Sequence, residues 1–235
     1  MKVIVINGSP KGERSNSMRL TRAFLEGAGW AGAEIIDAAK ANVKGCMGCY
    51  SCWTKTPGKC VIDDDMSAIL PKVIAADAIV WSFPLYCYSV PGGLKHFLDR
   101  NLPLALPFMD TAAESGEHPP RYDLSRQKHI LVSTCGFWTT EGNYDGVNFM
   151  FDRGGSPTEK IYCAQGELFG DRVPEPRVKA RAAEYLETVK RAGAEYAAGG
   201  ISAETRAELS RTLFPREEFE KGADASWKIE QGAGG

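Results

Sequence analysis

The 235-residue chain is short of net charge and of histidine. Lys and Arg number 28 against 30 Asp and Glu, leaving −2, so no broad field of either sign draws it to nucleic acid or anionic lipid. Its histidines, His96, His118 and His129, lie far apart with no H-x3-H spacing, which excludes the usual histidine metal triad. No apolar run reaches the length of a membrane span. The opening run Met1–Ile6 stops at Asn7, too early for a signal sequence, so a cytoplasmic location and no membrane partner are expected. A G-x-S-x-G elbow is absent, which argues against a serine hydrolase, and there is no internal repeat. What remains is ample core material: 43% hydrophobic and 25% charged residues fit a folded globular domain rather than a disordered or collagen-like chain. The seven cysteines, an odd number, read as thiols or metal ligands rather than a disulfide framework.

Short β-branched runs alternate with helical periods. Val3–Asn7, Glu34–Asp37, Ala78–Ser82, His129–Ser133 and Lys160–Ala164 read as strands. Between and after them lie helical patterns from Ser17 to Gly29, from Met66 to Ile74, after Pro91, from Tyr144 to Arg153 (stopped by Gly154-Gly155), and from Val178 to Tyr196. Asp65 is expected to cap the second of these, with Pro71 either kinking it or forcing a start near Leu70. Fivefold alternation predicts an α/β fold, a doubly wound five-stranded parallel sheet with helices on both faces. Residues 1–200 would form the domain and 201–235 an extension lying on it or on a partner subunit. The proline-rich stretch 101–127 reads as a long loop, a lid or a partner contact, whose apolar part, 102–109, should be covered.

The loop after the first strand, Gly8-Ser9-Pro10-Lys11-Gly12-Glu13-Arg14-Ser15-Asn16-Ser17, lacks the glycines of a dinucleotide fingerprint and the Gly-Lys pair of a Walker loop. It offers hydroxyls and an amide at a helix start, where free N–H groups favour an anion, and so suits a phosphate monoester. Two more loops meet the same sheet edge, Phe83–Pro91 and Thr134-Cys135-Gly136-Phe137-Trp138, and both set aromatics beside Pro or Gly. That edge suits a flat ring. Asp37 stands where a ribose-binding acid would, but without the glycine fingerprint it is assigned no role.

With Gly8-Ser9-Pro10, Ser15-Asn16-Ser17, Asp64-Asp65-Met66, Pro84-Leu85-Tyr86 and Leu94-Lys95-His96-Phe97-Leu98-Asp99-Arg100 in place, the first hundred residues resemble the flavodoxin-like NAD(P)H-dependent FMN reductase and iron-sulfur flavoprotein group. The resemblance implies FMN, its phosphate held by Ser9, Ser15, Asn16 and Ser17 with Lys11 in the same loop. Its ring would lie against Pro84, Leu85, Tyr86 and Cys87, with Thr134, Cys135 and Gly136 near the pyrimidine end. Backbone N–H groups there would stabilise reduced flavin.

Cys46-x2-Cys49-x2-Cys52-x7-Cys60 packs four thiols between the second strand and the next helix. Successive x2 intervals resemble ferredoxin ligation more than zinc, which takes separated pairs. The resemblance implies a 4Fe-4S cluster here; the spacing alone equally allows redox or structural thiols. The expected activity is electron transfer from NAD(P)H, as co-substrate, through flavin to a small-molecule acceptor (quinone, flavin or similar) or to that cluster, in a homodimer or homotetramer. Alternatives of another class are a non-enzymatic FMN electron carrier, for which −2 is a weak steering charge, and a cysteine-based redox sensor.

Overall fold

Val3–Asn7 forms β1 in the middle of a sheet, where both faces are covered and β-branched residues pack well; every residue of the strand is buried. The computed structural model describes residues 1–111, 116–154, 158–171, 173 and 175–227. In chain order β1 is followed by α1 (Asn16–Gly27), β2 (Glu34–Asp37), α2 (Ser51–Thr54), α3 (Met66–Ile74), β3 (Ala78–Pro84) and α4 (Gly92–Asp99). Then come β4 (Lys128–Thr134), α5 (Asp145–Asp152), β5 (Thr158–Cys163), α6 (Pro176–Ala198), α7 (Ala203–Leu209) and α8 (Arg216–Trp227). All four strand pairings are parallel, in the order β2-β1-β3-β4-β5. This is the flavodoxin-like order, with its ligand crevice where the winding reverses between β1 and β3.

Alternation of side chains along the strands splits the core in two. Val3 and Val5 join Phe24, Val189 and Tyr185 on the α1/α6 face, whereas Ile4 and Ile6 join Met66, Leu94 and Phe97 on the α3/α4/α5 face. Helices α1 and α6 approach closely through glycines: a Cβ on Gly193 would lie 2.1 Å from the Phe24 carbonyl oxygen. Ile201, Leu209, Leu213, Phe214 and Phe219 extend the α1/α6 core, so the segment after α6 packs on its own domain. Its last eight residues, 228–235, lie outside the described residues, as do Gly155 of the expected helix stop and 112–115 of the long loop.

Two local expectations need correction. Helix α3 begins at Met66, not near Leu70, because Pro71 is only its sixth residue and removes a single intrahelical bond. Its first turn is met by Asp64, whose Oδ1 accepts from the Met66 amide at 3.1 Å. Asp65 makes no capping bond and instead accepts from the Asn42 amide at 2.8 Å. The 101–127 loop is half covered by its own chain. The Trp53 indole donates to the Ala105 carbonyl at 3.0 Å and Arg121 Nε to the Pro103 carbonyl at 3.0 Å, while Phe108 and Met109 stay exposed. Among the described residues no helix is long and apolar enough to cross a membrane.

Candidate functional site

The loop after β1 is built by its own side chains. Asn7 Oδ1 accepts from the Ser9 amide at 3.1 Å, and the Gly12 amide donates to the Ser9 carbonyl at 2.9 Å. Ser15 caps α1, its Oγ accepting from the Met18 amide at 3.2 Å and lying 3.2 Å from Ser17 Oγ. The first-turn amides of Asn16 and Ser17 have no intrahelical acceptor and point out of the helix end. Hydroxyls and amides therefore collect at the positive end of the α1 dipole.

This loop forms one end of an open cleft of about 160 Å³. Eleven of the twelve residues expected at a flavin line it: Ser9, Lys11, Ser15, Asn16 and Ser17 at one end, Pro84, Leu85 and Tyr86 along one wall, and Thr134, Cys135 and Gly136 along the other. Cys87 does not line it. It occupies a tight turn at φ 48° and its thiol is exposed. The Asn16 amide group is partly committed, its Nδ2 donating to the Gly166 carbonyl at 2.7 Å, so it braces the β1 loop against the β5 loop. Several ring-wall amides are committed too: Leu85 to the Thr134 carbonyl, Tyr86 to Ser89 and Cys135 to Cys163. Backbone donation to a ring must come from other amides. Burial pushes the Cys135 thiol up, which makes it a packing group rather than a thiolate.

Gly166 and Glu167 complete the lining and were not anticipated. A Cβ on Gly166 would sit 2.6 Å from Thr134 Cβ, so the close approach of the β4 and β5 loops needs glycine. Glu167 keeps one side open to solvent, yet surrounding protein raises its pKa, with Lys11 opposing the shift. The available signal was positional: Gly166 follows β5 at the same carboxyl edge as the other loops.

The cysteine segment lies beside this edge. Cys46 and Cys49 are exposed, Cys52 is buried and Cys60 is half-buried. Burial, then the Cys60 thiol, with Cys46 and Cys49 adding to it, pushes Cys52 up. Among the described residues no three His, Cys, Asp or Glu side chains converge in a geometry that could hold a metal ion. The donor chemistry suits an iron-sulfur group; the arrangement is not closed around one. The neck of the segment is clasped by a buried ion pair. Arg100 Nη1 donates to Asp64 Oδ2 at 2.7 Å and to the Lys44 carbonyl at 2.8 Å, and Nη2 donates to Asp64 Oδ1 at 2.9 Å. Burial opposes the charge on Arg100, but Asp64 and the Cys60 sulfur favour it more, and its pKa is raised.

Residues 1–109 match the family described as NADPH-dependent FMN reductase. That range holds the β1 loop, the four clustered cysteines and Pro84–Tyr86, but not Thr134–Gly136 or Glu167. An iron-sulfur flavoprotein of Methanocaldococcus jannaschii is 40% identical over 110 residues, 46% of this chain and 55% of that protein. One from Methanosarcina thermophila is 36% identical over 104 residues, 43% of this chain and 53% of the other. The chain thus spans about half the length of the curated relatives it matches. Among solved structures, the FMN-dependent NADH-azoreductase of Bacillus anthracis, determined with FMN, superposes with a TM-score of 0.56 at 19% identity, covering 83% of this chain and 99% of that one. The NAD(P)H:quinone oxidoreductase of Methanothermobacter marburgensis does so with a TM-score of 0.56 at 17% identity, covering 83% and 96%. At those identities the two structures speak to fold alone. Through its first 109 residues, from the serine-rich loop to the far side of the ring wall, the chain is similar to the NADPH-dependent FMN reductase family.

Proposed function

We propose that the chain binds FMN in the cleft and works as an NAD(P)H-dependent oxidoreductase of small acceptors in the cytoplasm. The observation that carries this is the polarity of the cleft. One end gathers Ser9, Ser15 and Ser17 hydroxyls with the α1 amides and Lys11, and the other presents Pro84, Leu85, Tyr86 and the glycine-bearing β4 loop. An anionic tail and a flat ring fit those ends respectively. The β1 loop would hold the phosphate and the β3 and β4 loops the ring. Bound FMN supplies two-electron acceptance from a nicotinamide and one- or two-electron donation to an acceptor. The net reaction takes NAD(P)H, a proton and an oxidised acceptor to NAD(P)+ and the acceptor carrying two more hydrogens. Titrating the purified chain with FMN and following flavin fluorescence should give saturable one-to-one quenching, and NADH or NADPH should then be oxidised beyond one equivalent per flavin only when an acceptor is present. Failure to bind FMN removes the proposal; binding with negligible NAD(P)H oxidation favours the electron-carrier reading.

A second reading concerns Cys46, Cys49, Cys52 and Cys60. The matched relatives are named iron-sulfur flavoproteins, and four cysteines in one short segment, three of them at x2 intervals, are the donors a 4Fe-4S cluster takes. Anaerobic purification with iron and sulfide analysis tests it: four of each per chain supports a cluster, and none supports redox or structural thiols. The exposed Phe108 and Met109 support a homodimer or homotetramer, which sedimentation velocity would resolve.

A further inference from the structure

The cleft is tied to a part of the chain remote from it in sequence. Gln165, which precedes the lining residues Gly166 and Glu167, is fully buried. It holds φ 57°, in the left-handed region, where a Cβ crowds the following carbonyl oxygen. Glycine would adopt that backbone freely, so the amide side chain sits there against a conformational cost. What it gains is a reciprocal pair of bonds with the segment between α7 and α8. Its Nε2 donates to the Phe214 carbonyl at 2.8 Å, and its Oε1 accepts from the Phe214 amide at 2.9 Å. Both bonds are buried and span 49 residues of sequence. The start of α8 reaches the β4 loop as well, where the Arg216 guanidinium lies 5.0 Å over the Trp138 ring.

The backbone around Gln165 holds the cleft loops together. Its own amide donates to the Phe137 carbonyl at 2.9 Å, and the Gly166 amide donates to the Cys135 carbonyl at 2.8 Å. On the other side the Gly166 carbonyl accepts from Asn16 Nδ2 at 2.7 Å, and Asn16 opens α1 beside the serine hydroxyls. One continuous path of hydrogen bonds therefore joins Phe214, through Gln165 and Gly166, to the anion end of the cleft. Every group on it is an uncharged amide or carbonyl, so the charges of Lys11 and Glu167 in the same cleft do not enter. Undocking the segment leaves buried amide groups unpaired at Gln165, which is costly.

We propose that Gln165 is a positioning residue of the cleft, through which the segment between α7 and α8 sets the β4 and β5 loops and the Asn16 end of α1 for FMN. The inference rests on the FMN reading above and adds a residue outside the family-matched range. It also carries a coupling. Docking of the segment and binding of FMN each favour the other by the same factor.

The test compares the full chain with two variants. Gln165→Met keeps the length of the side chain and removes both bonds to Phe214; Gln165→Gly removes them and relieves the left-handed backbone. Flavin-fluorescence quenching, at a temperature where all three chains are folded, should show the FMN dissociation constant raised about three- to tenfold in both variants. A merely structural glutamine lowers the unfolding temperature and leaves FMN affinity within error of the parent, and that result overturns the proposal. Hydrogen exchange at the Phe214 amide supplies a second reading in the unmodified chain. As FMN is raised past saturation, exchange there should slow and then level off at the factor by which the variants lose affinity. Slowing that keeps growing with FMN concentration is the mark of global stabilisation alone, and no slowing is the mark of an uncoupled segment; either overturns the proposal. Absence of FMN binding in the unmodified chain removes the FMN reading and this inference with it, whereas FMN binding that is intact in the parent and unaltered in the variants removes this one alone.

Discussion

Replacing Asp64 by asparagine keeps the shape of the side chain and removes the carboxylate bonded to Arg100. The guanidinium and the Asp64 carboxylate are 1% and 0% exposed, so the variant buries a cation facing an amide. Removing one partner of a buried pair costs about 3–5 kcal/mol. At roughly 2–4 °C per kcal/mol for a chain of this size, the unfolding temperature should fall by on the order of 10 °C. Because Asp64 and Lys44 are held by the same arginine, both ends of the cysteine segment should loosen. Iodoacetamide labelling read by peptide mass spectrometry should then speed up at Cys52 and Cys60 and change little at the already exposed Cys46 and Cys49. The acid limb of the stability curve should change too. Burial pushes the Asp64 carboxyl up, but bonds from Arg100 and from the Lys44 and Met66 amides outweigh it, and the folded pKa is lowered. Its contribution is complete above the unfolded-state carboxylate pKa and is lost as pH falls through the lowered folded value; Asp64→Asn removes that slope. A double variant, Asp64→Leu with Arg100→Met, leaves no buried charge and should recover most of the loss. A loss below about 1 kcal/mol for Asp64→Asn, the scale of a surface pair, or a double variant no more stable than the single, would refute the reasoning.

Ser15→Ala should cost about 1 kcal/mol by removing the α1 cap, and by FMN titration it should weaken FMN more than phosphate-free riboflavin. Equal losses for the two ligands would place Ser15 away from the phosphate. His129 is locked neutral: the Trp81 indole donates to Nδ1 at 3.1 Å, so Nε2 carries the proton and donates to Gln127 Oε1 at 3.1 Å. Burial pushes its pKa down to about 4 from 6.5. The unfolded chain therefore binds the proton first. Stability from this site is complete above pH 6.5 and falls by up to about 3 kcal/mol towards pH 4. Urea unfolding at pH 7 and pH 4.5 should show a smaller difference for His129→Gln than for the parent chain. Cys87→Gly should raise the unfolding free energy by about 1 kcal/mol, the left-handed penalty less the added unfolded-chain entropy; a decrease in thermal stability would show that the turn is not strained.

How much of this was legible depended on whether the cause was local. The strands β1 and β3 announce themselves because both faces are buried, so β1 is β-branched up to Asn7 and β3 is apolar but for Ser82 up to Phe83. The β1 loop was readable because its capping serine and helix start lie within ten residues. The β5 edge was harder. Its sequence, Thr158–Cys163, mixes charged and apolar residues, as an edge strand can, and so the Gly166 and Glu167 corner drew no notice. At the α3 start the sequence pointed to Asp65, whereas Asp64 serves it. The choice is made by Arg100, 36 residues away, which seats Asp64 in the interior. The Tyr88–Phe137 stack is likewise non-local, joining loops from different strands.

The same helix that supplies Arg100 ties the thiol segment to the cleft. Helix α4 is about 12 Å long at 1.5 Å per residue; it follows directly on the Pro84–Val90 loop and ends at the clasp. The chain leaving β2 runs along it: a Cβ on Gly93 would lie 3.3 Å from Ala39 Cα, and one on Gly45 would lie 3.8 Å from the His96 ring. Leu94 and Phe97, both fully buried, anchor the helix in the α3/α4/α5 core. A displacement of the cysteine segment can reach Pro84, Leu85 and Tyr86 through the backbone only by shifting those two side chains, which a close-packed core resists. Loosening the clasp should therefore expose Cys52 and Cys60 well before it alters the ring wall. Asp64→Asn should accordingly separate the two regions, with fast thiol labelling and a nearly unchanged FMN dissociation constant at temperatures where the domain remains folded.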